Sequence, residues 1–206
     1  MPILVGLGLL ASGGFAVGFV WYFGSPRFTD VGYRPKQPVP FSHRLHAGEL
    51  GMDCRYCHAT VEYSHEANIP PTQTCMNCHT MVAPESEKLQ PVRDSFKTGQ
   101  PIEWVRIHKL PEYAYFNHSV HLRAGVGCAS CHGNVAEMDV VEQKEPLSMG
   151  WCLQCHRNPT DHLRDLSQTT VTDMNWTPPS NQLELVEKLI QHHKLAPPED
   201  CSACHQ

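Results

Sequence analysis

One five-residue pattern occurs five times in this chain of 206 residues and uses every one of its ten cysteines. Cys-x-x-Cys-His is read at 54–58, 75–79, 128–132, 152–156 and 201–205. In this spacing two thiols can form thioether bonds to neighbouring vinyl groups of a haem, and the histidine that follows is delivered beneath the iron as an axial ligand. The covalent attachment sites are then Cys54 and Cys57, Cys75 and Cys78, Cys128 and Cys131, Cys152 and Cys155, and Cys201 and Cys204. The proximal ligands are His58, His79, His132, His156 and His205. The cofactor expectation is five c-type haems.

Other uses of paired cysteines fit less well. A zinc ribbon needs two pairs per metal, so five pairs strand one, and zinc gives no reason for a histidine after each pair. A thioredoxin-like site needs one motif in a βαβ setting. Structural disulfides do not require such uniform spacing.

Five haems in 206 residues is one per about 41 residues, too dense for an ordinary apolar core. The porphyrins themselves would form the core, wrapped by loops and short helices. Seventeen prolines and fourteen glycines suit that connectivity. The expected fold class is mainly irregular with short α-helices, a multihaem cytochrome c domain on one N-terminal transmembrane helix. The net charge is −5 and there is no basic block, so nucleic acid is not an expected partner. Covalent haem is attached outside the cytoplasm, which places the haem domain on the periplasmic side of the inner membrane.

Residues 3–23 (ILVGLGLLASGGFAVGFVWYF) carry no charge. As a helix rising about 1.5 Å per residue they span about 31 Å, enough for a bilayer core. Trp21 and Tyr22 lie where an interfacial aromatic belt would, and Gly14 and Gly18 form a small-xxx-small pair. A cleaved signal peptide would have a shorter apolar region and an A-x-A-like site, so an uncleaved single-pass anchor is expected. Arg27, Arg34 and Lys36 follow the helix, against the positive-inside rule; covalent haem is the firmer constraint on orientation.

Residues 24–40 read as an extended, proline-punctuated linker, and 41–206 as the pentahaem domain. Within it Phe41-Ser42-His43-Arg44-Leu45-His46 precedes Cys54 as Phe116-Asn117-His118-Ser119-Val120-His121 precedes Cys128. Each copy continues through C-x-x-C-H-x-x-V to a second motif, giving half-repeats at 41–84 and 116–158. The segment 180–206 carries the fifth motif. There Ser180 is placed to cap a helix with Leu183, Val186, Leu189, Ile190 and His193 on one face, stopped by Pro197 and Pro198.

Nine of the fourteen histidines lie outside the motifs. Low-spin electron-transfer haems need a second strong ligand, His or Met. The candidate distal ligands are His43, His46, His118 and His121, whose i, i+3 spacing puts both rings of a pair on one side of a turn. His43 and His118 are expected to serve a haem of their own half, with His46 and His121 reaching another. Met138 and Met149 are candidates for the fifth position. His65, His108, His162, His192 and His193 remain as alternatives, each more readily explained as a surface or hydrogen-bonding side chain.

With FSHRLHAGELGMDCRYCH, IPPTQTCMNCH, HKLPEYAYFNHSVH, GCASCHG and LSMGWCLQCHR in view, the chain resembles the membrane-anchored pentahaem cytochrome c subunit of bacterial alternative complex III. FxHxxH…CxxCH blocks also occur in related class III multihaem cytochromes. The resemblance implies a relay without catalysis of its own, taking electrons from an iron–sulfur subunit fed by quinol oxidation. It passes them towards a monohaem cytochrome c or a terminal oxidase, among integral membrane subunits of a respiratory-chain complex. It also implies mostly bis-His haems. Two other classes stand beside it: a small membrane-anchored quinol dehydrogenase, and a multihaem reductase with one open iron. All five motifs end in histidine, which disfavours the reductase.

Overall fold

The structure, a computed structural model, describes residues 2–205. It is helical and irregular; among the described residues the only β-type pairings are two isolated bridges, Ala114 with His205 and Val126 with Leu163. The one long helix, α1 (Pro2–Phe23), buries none of its residues. It is long and apolar enough to cross a membrane, as a signal sequence also would be.

The linker is not fully extended. Pro26 sits in the first turn of a short helix, α2 (Pro26–Thr29), where its missing N–H costs nothing. Beyond it the chain is tied back to the haem-motif region: Gly32 N donates to Gln143 O at 2.8 Å and Gln143 N to Tyr33 O at 3.1 Å.

Each Cys-x-x-Cys-His motif is folded as a helical turn: α3 (Cys54–Cys57), the C-terminal half of α4 (Thr72–His79), α7 (Ala129–His132), α8 (Met149–Arg157) and α10 (Cys201–Cys204). Between them lie α5 (Gln90–Thr98), α6 (His118–Arg123) and α9 (Gln182–His193). A turn of helix suits the motif because i, i+3 positions share a face, so both sulfurs point the same way. Three of these turns are capped by a side chain accepting a main-chain N–H: Asp53 from Arg55, Ser148 from Trp151 and Asp200 from Ala203.

The polypeptide core is small. Eight apolar side chains are buried among the described residues: Val39, Val61, Val92, Leu122, Met138, Leu163, Val171 and Val186. Val61, Leu122 and Val171 pack with Ala67 and Cys128, joining the two halves. So few buried apolar groups cannot offset the chain entropy of a domain this size.

The C-terminal helix departs from its expected form. Asn181, not Ser180, is the N-cap, and the side chain makes no capping bond. Gln182 and Val186 are buried while Leu183 is exposed, because the Gln182 amide donates to Thr160 O and Leu163 O at 2.6 and 2.8 Å. Lys194, in the left-handed region at φ 53°, ends the helix before Pro197 is reached.

Before the third motif, Gly125 adopts φ +93°, and a Cβ there would meet Arg164 O at 2.5 Å. The Arg164 side chain is buried, donating to Thr170 O at 2.9 Å and Asp173 O at 2.8 Å and lying over the Trp176 ring.

Candidate functional site

The two FxHxxH modules fold alike at their aromatic groups. In the first, Phe41 stacks on His46 at 4.4 Å and meets His43 edge-on at 4.8 Å. In the second, Phe116 stacks on His121 at 4.5 Å and meets His118 edge-on at 4.8 Å. The second histidine of each module is fixed by the same bond: Nδ1 lies 2.8 Å from the carbonyl four residues back, Ser42 O for His46 and Asn117 O for His121. The backbones differ. The first module closes a wider turn over Arg44–Glu49, with Leu50 N donating to Leu45 O, whereas the second is the ordinary helix α6.

The motif histidines show the same division of labour between ring nitrogens. Nδ1 of His58 lies 2.6 Å from Asn68 O, that of His79 2.9 Å from Val82 O, that of His156 2.6 Å from Pro198 O and that of His205 3.1 Å from Tyr113 O. A carbonyl can only accept, so Nδ1 carries a proton, and in the neutral ring the lone pair is then on Nε2. His118 is set likewise, its Nδ1 2.8 Å from His65 O. Such outer contacts fix the tautomer and orientation of a metal-binding imidazole.

Three distal candidates face motif histidines at similar separations. His46 and His79 have ring centres 6.2 Å apart, His121 and His156 6.0 Å, and His118 and His132 6.4 Å with planes 6° from parallel. Two imidazole nitrogens on opposite sides of one metal, each about 2 Å from it, put their ring centres about 6 Å apart. Burial lowers His118 and His121, brings His43 down to about 4 and His132 to about 3, so these rings are neutral at ordinary pH, the form that binds iron. His43 carries a buried Nδ1 without a partner, and the proximity of His58 and His46 adds to burial in lowering it.

The remaining candidates are less organised. Met138 is buried, with its terminal methyl beside Gly133, and its carbonyl accepts from Arg44 N at 2.9 Å. Met149 is exposed at the start of α8. His65 is exposed, with its carbonyl committed to His118. His192 and His193 end α9, packed edge-on against each other. The residue that sequence reasoning did not single out is His108, whose Nε2 lies 3.3 Å from Nδ1 of His132. No spacing rule reaches it, since it lies in a loop outside the Cys-x-x-Cys-His and FxHxxH patterns.

The ten cysteines are unpaired. Cys54 and Cys128, the first cysteines of corresponding motifs in the two halves, lie close enough to shift each other in opposite directions: Cys54 is lowered to about 7 and Cys128 is raised. Burial raises Cys57, Cys75, Cys152 and Cys155, and pushes Cys131 up to about 12. Redox-active Cys-x-x-Cys pairs have depressed thiol pKa values; here Cys54 is lowered through its contact with Cys128, while its motif partner Cys57 is raised.

Neighbouring motifs touch through their flanks as well. Asn77 Nδ2 donates to the Tyr56 hydroxyl at 3.1 Å, joining the first two. Arg157 pairs with Glu199 at 2.8 Å, joining the fourth to the fifth. Tyr115 N donates to Cys204 O at 2.7 Å, bringing the fifth against the segment that leads into α6.

Comparison with known proteins places these features. Residues 26–101 match the class III cytochrome c family, and residues 114–206 match cytochrome c7 and related cytochromes c. Both halves are similar to multihaem c-type cytochromes. The chain is also 29% identical over 168 residues to the multihaem cytochrome c subunit of menaquinone reductase from Nitratidesulfovibrio vulgaris, covering 70% of this chain and 80% of that one. The similarity implies c-type haem and electron transport. The donor set fits that group: paired thiols on single helical turns, neutral imidazoles with free Nε2 atoms, and a protein core too small by itself.

Proposed function

We propose that the chain is an electron-transfer subunit carrying five covalent c-type haems, within a membrane quinol:electron-acceptor oxidoreductase of the alternative complex III kind. The observation that carries this is the facing of His46 with His79, His118 with His132 and His121 with His156 at 6.0–6.4 Å. When bound, each haem supplies a one-electron Fe(III)/Fe(II) couple. The chain's own residues do the rest. The five cysteine pairs hold the groups covalently, and main-chain carbonyls hold the Nδ1 protons so that Nε2 is presented. Paired imidazoles would hold each iron and leave no position on it for substrate. The touching motifs, with Cys54 against Cys128 at the junction of the halves, bring successive centres close.

Helix α1 anchors the subunit, with its haem domain on the periplasmic side. Its partners are an iron–sulfur subunit, integral membrane subunits and a monohaem cytochrome c or terminal oxidase. The resemblance to a menaquinone reductase subunit favours a second direction of flow, into the quinone pool rather than out of it.

The test is an EPR spectrum of the oxidised holoprotein, alone and with cyanide or nitrite. Low-spin ferric signals unchanged by either ligand support a closed relay. A high-spin signal that moves on adding ligand means an open iron, and replaces the relay with a reductase or a direct quinol-contact role. The mass of the mature membrane-extracted protein distinguishes the anchor from a cleaved leader.

A further inference from the structure

Arg27, Arg34 and Lys36 follow the apolar helix α1 on the flank that the positive-inside rule leaves poor in cations when that flank is exported. The fold gathers further cations beside them. The Gln37 amide donates to Val105 O and accepts from Val105 N, each at 2.9 Å, which sets residues 33–37 against 105–109 and brings in Arg106 and Lys109. Lys109 Nζ lies over the Tyr33 ring, 5.9 Å from its centre. On the other side, Gly32 N donates to Gln143 O and Gln143 N to Tyr33 O, which brings in Lys144. All six basic side chains are exposed. The acids in and next to these stretches are Asp30, Glu103, Glu142 and Glu145; Glu142 is already shared by Arg34 and Lys144, and Glu145 lies near the Cys131 thiol. In a chain of net charge −5 this is a local excess of positive charge.

The short helix α2 holds that excess at the membrane end of the chain. Phe28 folds back on the last turn of α1, its ring centre 4.6 Å from that of Phe23 and 5.9 Å from that of Tyr22, and Ser25 Oγ donates to Tyr22 O at 2.7 Å. Trp21, Tyr22, Phe23 and Phe28 are exposed, the aromatic composition of a membrane–water boundary. Apolar helix, aromatic belt and cations thus follow one another within a few residues.

We infer that this surface seats the domain on anionic phospholipid headgroups beside the anchor, with Arg27, Arg34, Lys36, Arg106, Lys109 and Lys144 meeting lipid phosphates. This rests on the reading of α1 as a membrane anchor. Continuity with the anchor favours lipid over an acidic protein: the first cation stands four residues past the end of α1. The surface potential of an anionic bilayer reaches only about one Debye length, 8–10 Å, so it acts on cations at the foot of the helix and not on those further out. A single helix fixes the depth of a domain but not its tilt. Headgroup contacts on one side of that helix set the tilt at which the domain stands over the bilayer.

The test uses the full-length holoprotein in nanodiscs of phosphatidylcholine alone or of phosphatidylcholine with phosphatidylglycerol, the acetylation rate of each lysine being read by peptide mass spectrometry. Lys36 and Lys109 are expected to react about fivefold more slowly in the anionic disc, and high salt is expected to abolish the difference. Lys188 on α9 and Lys194 at its end, both exposed, are expected to react alike in the two discs. The double variant Arg27→Gln/Arg34→Gln is expected to bring Lys36 and Lys109 back towards their neutral-disc rates. Equal rates in the two discs overturn the inference, as does slowing that persists undiminished in the variant. Slowing that needs the assembled complex overturns it too, and makes the surface a contact with a partner subunit. A mature protein whose mass lacks residues 2–23 overturns the anchor reading instead, and that mass is measured before the labelling.

Discussion

His46 and His79 face each other with ring centres 6.2 Å apart, one from the FxHxxH turn and the other from the end of α4. The relationship recurs between His121 and His156 at 6.0 Å. In both copies a phenylalanine stacks on the FxHxxH ring while the i−4 carbonyl holds its Nδ1. Position and tautomer are thus set by local sequence, and the partner is brought by the fold.

Replacing His46 with alanine therefore opens one axial position: His46→Ala converts one low-spin ferric signal to high-spin and makes it cyanide-sensitive. His121→Ala does the same at a different centre. His46→Met keeps the iron low-spin but raises its potential, because thioether ligation favours ferrous iron. EPR-monitored redox titration checks all three, and retention of every low-spin signal in H46A removes His46 from the ligand set.

Of the five Cys-x-x-Cys-His motifs, the fifth is the most separable. It occupies α10, held to the rest by His156 Nδ1 on Pro198 O, by Arg157 with Glu199 and by Tyr115 N on Cys204 O. The double variant Cys201→Ala/Cys204→Ala is expected to lose one haem of five, read by protein mass and by the haem-to-protein ratio. A ratio that does not change excludes this motif as an attachment site.

Much of this arrangement was legible in the sequence because thioether attachment is local: two cysteines and a histidine within five residues define a centre without reference to the fold. The repeated FxHxxH modules were legible for the same reason. Partnership was less so. The facing of His46 and His79 depends on how separate turns dock, and no periodicity encodes that. His108 was the hardest to single out, since a lone histidine in a loop carries no pattern until His132 is placed beside it. Helix α9 shows a local rule losing to a tertiary one. Val186 of the expected face is buried, but at the start of the helix Leu183 gave way to Gln182, whose amide meets two loop carbonyls that would otherwise be without a donor.

That amide is a stability element distinct from the motifs. Gln182→Leu fills similar volume but leaves Thr160 O and Leu163 O without their donor. The expected cost is about 1–3 kcal/mol, seen as a lower thermal midpoint of the holoprotein with haem content unchanged. A midpoint equal to wild type means that the two carbonyls find water instead.

Acid sensitivity should concentrate at the first motif. Asp53 caps α3 through Arg55 N at 2.8 Å, pairs with the Arg55 side chain at 2.8 Å and accepts from Thr172 Oγ1 at 3.2 Å. The Arg55 guanidinium holds its carboxyl down from the ordinary 3.8 to about 2. A folded-state value below the unfolded one means that the ionised group stabilises the fold. That contribution is complete above about pH 4 and fades as the pH falls through the folded value near 2. Thr172 neighbours Val171, whose carbonyl accepts from Cys128 N at 3.0 Å, so loosening Asp53 releases a tie between the two halves. Thermal midpoints of the wild-type holoprotein should fall across this window, and those of Asp53→Asn should be lower at neutral pH but flatter with acid. Parallel curves for the two proteins would assign the acid response to other carboxylates.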